Sequence, residues 1–526
     1  MEGGGYFLQM FSRQTILILT LLTGMLTGQR LESMEGAVGS VTLDGKIWNS
    51  LAFRPVIPIG KAALALDVVV YVDDEGNVHR DEWDFSTPEA AKNTLLDKIY
   101  YFRWGQPADP LYFKIGALDR VTLGYGILVS RYTNTLYYPD VRRVGVDLGI
   151  KWGPWHLTGF ANDLKEYASF AGLRLETARW TGFPVGLSAV MDRNQYLALE
   201  DRDGDGRPDY VDDFPDDSHS WVDTDGDGLP DNDPLEWDID GDGITDTLNG
   251  NIPGWTLDTT VVLDPEVYRK PEPLNIHGKS DPVGAVALDV GLPLFQEKNL
   301  TLFVYAQAAK LIGTTRNPET GESVSLGSGL VPLGLGGKAG PVTLRAEYRL
   351  IPHGNFEFGY WSRSYDAERA VFSLQGNEKI VLTKESRLGK YGALKGLNVS
   401  AGVNVLSLIG ADASYQHLVG ETWDEASNSF RTDRVESFLA TLTLKKKISK
   451  LNTARMFYQQ QNVPNPFRFR FTENTVMGYE LGLEMSGGMV LSYVFTRTFI
   501  DLNGDGDVED IHETVNRTVF ETSFRF

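Results

Sequence analysis

Three stretches of this chain repeat one arrangement of carboxylates suited to holding a hard cation. The first copy is Asp201, Asp203, Asp205, Gly206, Asp209 and Asp212. The second is Asp223, Asp225, Asp227, Gly228 and Asp231, and the third is Asp238, Asp240, Asp242, Gly243 and Asp246. Each copy sets carboxylates at loop positions 1, 3, 5 and 9 and glycine at position 6. An EF-hand-type loop wraps Ca2+ in oxygen ligands with that spacing, the glycine allowing the sharp turn. A solvated acidic linker is the plain alternative, because like charges repel and stay disordered. Such a linker has no need of a glycine at every position 6. A fourth pattern, Asp501, Asn503, Asp505, Gly506, Asp507 and Glu509, precedes the last expected strand. There position 12 is His512, a poor ligand for a hard cation, although Asp510 or Glu513 can substitute. The cofactor these loops ask for is Ca2+, and its binding and the ordering of the loops are one event.

The acidic block also accounts for most of the chain's charge. From Glu200 to Asp246 there are 19 acidic residues against Arg202 and Arg207, a net of −17 out of −22 for the whole chain. Three filled sites would offset roughly six of those charges through the ions alone. The remainder is only mildly acidic and shows no basic face, so a nucleic-acid partner is not expected. With no cysteine, disulfides, thiolate metal sites and cysteine nucleophiles are excluded. At the N-terminus, Arg13 precedes an apolar run from Ile16 to Leu26 and a small-residue exit at Thr27-Gly28. That is the length of a signal h-region and too short to span a bilayer. Residues 1–28 therefore read as a signal peptide, with Met10 an alternative start.

The elements that must carry these loops are strands. One face of 143–152 holds Val144, Val146, Leu148, Ile150 and Trp152, and the other holds Arg143, Gly145, Asp147, Gly149 and Lys151. Residues 342–350 and 477–485 alternate in the same way, with Arg345, Glu347 and Arg349 and then Glu480 and Glu484 on their polar faces. Period two marks strands with unlike faces. Strands of about nine or more residues are long enough to cross a bilayer at a tilt, and charged or glycine-rich faces suit a wet lumen. Tight turns, as at Gly60, Gly153-Pro154 and Gly340-Pro341, alternate with long loops at 73–97, 130–138, 163–168, 195–280, 313–328, 353–394, 420–430, 460–472 and 502–514. Sorting of short and long connections to opposite ends is the outer-membrane arrangement. The expected fold is all-β, a transmembrane antiparallel β-barrel of about 18 strands within a range of 16–20. The connections imply about nineteen strands, so an even number requires either that residues 37–59 hold two strands or that one marked segment folds inward. The barrel spans 37–194 and 281–526, and the acidic segment 195–280 is a loop insertion.

Phe520, Thr522, Phe524 and Phe526 share one face of the last strand. Here the chain resembles bacterial outer-membrane β-barrel proteins, whose final strand ends in phenylalanine and is read by the barrel-assembly machinery. The resemblance implies outer-membrane lipid and that machinery as partners. The acidic repeats are similar to thrombospondin type-3 repeats in their units and in their spacings of 22 and 15 residues. That family's cysteines are absent, so calcium would have to organise the segment alone. Carried over position by position, the aspartates named above are the ligands, and Arg207, Leu229 and Ile244 offer backbone carbonyls.

No histidine forms a metal-spaced pair. Ser414 and His417 are three apart and so point to opposite faces of a strand. Catalysis is not expected. Trp48, Trp104, Trp152, Trp155 and Tyr138 sit near strand ends and suit interfacial girdles. The expected function is a porin-like channel for small solutes, its largest external loop ordered by calcium over the mouth. The alternative is a surface structural or adhesion protein that uses a closed barrel as its anchor.

Overall fold

The computed structural model describes residues 33–43, 46–79, 83–138, 141–224, 226, 228–233, 270–318, 320–375, 378–424, 427–485, 489–501, 508 and 513–525. The signal segment lies outside these residues. So do Asp225, Asp227, Asp238, Asp240, Asp242, Asp246, Asn503, Asp505 and Glu509.

Twenty antiparallel strands form one closed sheet. The first strand, Ser33–Leu43, pairs with Lys46–Ile59 on one side and with the last strand, Thr514–Arg525, on the other. Closure leaves no free edge, which hydrocarbon would not tolerate. Ala62–Leu66 and Val68–Val72 act as a single strand broken at Asp67. Six short strands follow, from Ile99–Trp104 to Val185–Asp192. Eleven longer ones run from Val283–Gln296 onward, the longest being Ile409–Asp424 and Ser429–Leu444 at 16 residues each. The count falls at the top of the expected range because residues 33–59 do hold two strands.

The alternation read from the sequence sorts side chains as expected. Leu288, Leu344, Leu397 and Met456 are 53–57% exposed on the outside, where lipid lies. Asp289, Glu347 and Asn398, from the opposite faces, are buried inside. A closed barrel with an apolar exterior places the protein in the outer membrane, crossing it with strands. Among the described residues no helix is long and apolar enough to cross.

Two connections depart from strict sorting. On the long-loop side, only residues 44–45 separate the first two strands, and the expected loop at 420–430 shrinks to 425–428 because pairing runs from Ile409↔Leu444 to Asp424↔Ser429. The girdle is also smaller than expected. Trp104 and Trp152 are exposed at the short-turn end, and Trp155 packs on the exposed Trp180 at 5.2 Å. Trp48, however, packs inside against a small core of Ala37, Val41, Ala52, Val69 and Tyr71. Tyr138 is likewise internal, hydrogen-bonded to the buried Asp67. Both sit on inward faces, which position near a strand end cannot distinguish.

The largest apolar core lies inside the barrel. Leu118, Leu128, Val129 and Tyr132 from the segment at 117–144 meet Phe356, Trp361, Tyr365 and Leu388 from the segment at 352–390. Inward-facing Phe170, Val283, Ala285 and Leu311 on the wall complete it. Strand Val283–Gln296 is thus apolar on both faces at its upper end, one towards lipid and one towards this filling.

Candidate functional site

The first acidic loop is built by its own carboxylates. Asp201 accepts the Gly204 and Gly206 N–H groups, each at 2.9 Å. Asp203 accepts from Asp205 N at 3.1 Å, and Asp205 accepts from Arg207 N at 2.6 Å. One oxygen from each of Asp201, Asp203 and Asp205 lies within 4.8 Å of the others. The buried second oxygens of Asp203, Asp205 and Asp212 have no hydrogen-bond partner. Burial, then the charges of Asp205, Asp203 and Asp209, push the Asp212 carboxyl up to about 6. Unspent carboxylate oxygens crowded at one point are a poor structure by themselves and a good donor set for a hard divalent cation. Asp201, Asp203 and Asp205 thus form a triad that can hold a metal ion.

Asp209 stands apart. It accepts the Arg202 N–H at 2.8 Å and lies 3.5 Å from the Arg202 guanidinium, contacts that close the loop. The second copy repeats this bonding where it is described. Asp223 accepts from Gly226 and Gly228, at 2.6 and 2.9 Å, and Asp231 accepts the Thr224 N–H at 2.8 Å. Gly206 and Gly228 have φ of +91° and +94°, the conformation that made glycine necessary at position 6. In the fourth pattern, Asp501 ends the strand side of its loop and donates its N–H to Glu473 at 3.2 Å.

The first loop rests on the barrel's filling. Tyr210 packs on Phe372 at 4.5 Å, within a cluster that includes Leu199, Ile276 and Ala370. Phe372 belongs to a hairpin, Ala370–Gln375 with Glu378–Thr383, that follows a short helix, Tyr365–Glu368. The two internal segments are joined to each other by backbone bonds. Gly359 N donates to Ile127 O at 2.9 Å, Trp361 N to Leu128 O at 3.1 Å, and Ser130 N to Trp361 O at 3.0 Å. They are pinned to the wall by buried charges. Arg369 meets Asp192 at 2.6 Å with both side chains fully buried, and Tyr365 donates to the same carboxylate at 2.7 Å. Arg143 pairs with Asp366, and Lys384 with Glu368 and, at 3.4 Å, Glu357. Such pairs add little net stability, but losing one partner is costly, so they select a single seating.

Sequence reasoning did not place this filling. A signal was present in Phe356 to Tyr365, which carries five large aromatic residues in an expected loop. So much aromatic surface has to be buried somewhere.

Beside the filling, arginines gather. Arg363 is 5% exposed, lies 5.0 Å over the Phe457 ring, and leaves its Nε without a partner. Burial, then the neighbouring Arg455 and Arg120, hold its guanidinium down to about 10, and Arg131 adds to the effect. The opposing carboxylate is Asp119, 3.9 Å from Arg455. Arg120 and Arg131 both adopt φ of +57°, a strained conformation for a side-chain-bearing residue. Arg131 also borders a polar cavity of about 140 Å³, with Arg345, Arg349, Asn398, Ser400 and Ser414 on its wall. A larger space of about 470 Å³ follows the first and last strands past Arg54, Asp67, Glu480 and Glu521.

Most of the expected lumen charges are held by ion pairs or hydrogen bonds. Arg349 holds Glu347 at 2.6 Å, Arg345 donates to Tyr125 O at 3.0 Å, Lys151 donates to Ala108 O at 2.8 Å, and Glu484 pairs with Lys447. Asp147 accepts from Tyr112 at 3.2 Å. Arg143 lies just before its strand rather than in it, tied to the filling. Ser414 faces inward to Asn398 at 3.2 Å, while His417 faces outward to Glu436 at 2.9 Å.

No protein-family model and no curated protein matches this sequence. Solved structures align over most of it at low similarity. The Pseudomonas aeruginosa protein OccK5 (OpdH) has a TM-score of 0.34 and 7% identity, covering 94% of this chain and 97% of that one. Acinetobacter baumannii OccAB4 has 0.33 and 9%, covering 95% and 100%. The FrpB iron transporter of Neisseria meningitidis, in its apoprotein form, has 0.37 and 7%, covering 95% and 81%.

Proposed function

We propose that this protein is a narrow outer-membrane channel for small anionic solutes, with a calcium-ordered cap on its external mouth. The observation that carries the reading is Arg363: a buried guanidinium within electrostatic reach of three other arginines, with no ion pair among the described residues. Desolvated cations of one sign are costly unless an anion visits them, and a ring of charge inside a pore selects ions of the opposite sign. Strained backbone at Arg120 and Arg131 supports it, because strain kept at one point of a structure commonly serves a site.

Calcium would be held by Asp201, Asp203, Asp205, Asp209 and Asp212 in the first loop. The second, third and fourth patterns would supply Asp223, Asp225, Asp227 and Asp231; Asp238, Asp240, Asp242 and Asp246; and Asp501, Asn503, Asp505 and Glu509. The contact of Tyr210 with Phe372 links the first loop to the internal hairpin, so metal occupancy would bias how firmly the filling sits.

Planar-bilayer recording tests both halves. In a KCl gradient the reversal potential should report anion preference, and a calcium chelator should change conductance or gating. Bilayers that stay silent under every condition would reject the channel. That outcome would favour the anchored surface protein, a reading that the apolar filling of the mouth also supports.

A further inference from the structure

The outer wall carries a feature that the channel reading does not use. After the strand Leu451–Val463 the chain turns outward and folds back on the barrel's exterior. Its direction follows from the register. Tyr415 and Phe438 are cross-strand partners, and their neighbours Ser414 and Gln416 point into the lumen, to Asn398 and Arg349. Tyr415 and Phe438 therefore face lipid, and Phe467 packs on both, at 5.5 and 5.2 Å. Phe469 packs on Tyr458 at 5.8 Å, and Phe471 stacks on Phe499 at 4.8 Å. The connection is held there by Gln460, whose side-chain amide donates to Arg470 O at 2.5 Å. Phe467 and Phe469 remain 51% and 58% exposed, on the same side as the lipid-facing wall.

Arginines alternate with these rings. Arg468 and Arg470 are exposed and form no ion pair among the described residues. Arg497, from the adjacent outer wall, lies 5.4 Å over the Phe495 ring and is tied to Asn516 at 2.6 Å. A carboxylate on this face, Glu436, is buried and already engaged by His417 at 2.9 Å. A cationic patch is thus maintained on a chain of net charge −22. Aromatic rings at the level of the acyl boundary with arginines beside them make an interfacial anchor. Guanidinium recognises phosphate with two parallel hydrogen bonds.

We propose that the segment 464–472, with Arg497, is a binding site for the phosphorylated sugar headgroup of the outer-leaflet glycolipid, its acyl chains lying along Phe467 and Phe469. The site is independent of conduction. The test uses the full chain reconstituted into phosphatidylcholine vesicles containing either bisphosphorylated lipid A or its dephosphorylated form. After extraction into mild detergent, retained lipid is counted by native mass spectrometry. The wild type should keep the bisphosphorylated lipid, and Arg468→Gln/Arg470→Gln should lower its retention about tenfold. Phe467→Ser/Phe469→Ser should lower retention of both lipids. Equal retention of the two lipids by the wild type, or unchanged retention by the arginine variant, overturns the proposal. A second copy of the chain in place of lipid also overturns it, by making the patch a protein interface. Heat-modifiable gel migration confirms that each variant is folded, and the two-lipid comparison on the wild type decides the matter even if a variant is not.

Discussion

At the scale of single residues, two kinds of charge crowding call for opposite partners. Asp203 and Asp205 each bring an unpartnered buried oxygen to the same point as Asp201. Replacing both with asparagine keeps the size and removes the charge, so one cation equivalent should disappear from the calcium stoichiometry measured by equilibrium dialysis. The residual sites should keep their affinity, since the second loop closes through its own Asp223 and Asp231. An unchanged stoichiometry would mean that the triad is not a ligand set. Arg363 shows the converse crowding. Arg363→Gln should move the reversal potential in a KCl gradient towards the cation side, with conductance changed by less than about tenfold because the passage keeps its other arginines. A variant with unaltered selectivity would remove Arg363 from the pore's charge filter.

The internal segments behave as elements whose seating depends on protonation. Glu385 lies in the short helix Lys384–Arg387, and burial, then the charge of Asp281, push its carboxyl up to about 7. An undocked segment would release that proton near the ordinary glutamate value of about 4.3. The docked form therefore binds more protons between those values, and docking weakens as pH rises through that window. Below it both forms are protonated and the docked state keeps its full stability. The hydrogen-exchange protection factors of residues 352–390, which remove the intrinsic rise of exchange with pH, should fall from about pH 5 to about pH 7.5, and Glu385→Gln should flatten the profile. A wild-type profile already flat would place the pH response elsewhere. The hairpin above this helix is where the first acidic loop rests, through Tyr210 and Phe372. Chelation should raise exchange in the hairpin as well as in the acidic loop, if metal and filling are coupled.

For the whole molecule the decisive event is closure. The seam between the first and last strands is reinforced from inside the second strand by Arg54, which meets Glu521 at 2.6 Å and Asp67 at 2.8 Å. Removing this cation leaves Asp67 with Arg142 at 3.8 Å and with Tyr138. Arg54→Met should cost about 3 kcal/mol, the low end for breaking a buried pair. It would appear as a lower temperature for loss of the compact, heat-modifiable band. A variant as heat-resistant as the wild type would show that the backbone ladder alone secures the seam.

Much of this architecture was legible in the chain, because a barrel wall is a local pattern. Period-two alternation sorts Leu344 from Glu347 whatever the neighbouring strand is, and glycine at position 6 announces a turn with positive φ before any fold is known. The even strand count was legible too, once residues 37–59 were allowed two strands. Other features depended on which segments meet. Nothing in the local pattern says that 117–144 and 352–390 fold inward and bond to one another, that Asp192 waits for Arg369, or that Trp48 faces in rather than out. Position 9 of the acidic loop is a ligand position by spacing, and only the structure shows that Asp209 also closes its own turn. The sequence by itself determined a cylinder with a lipid-facing exterior and a string of acidic turns, since alternation and turn chemistry act over a few residues. Only the tertiary structure decided what fills the cylinder, because burial of aromatic loops and pairing of buried charges depend on residues more than a hundred positions apart.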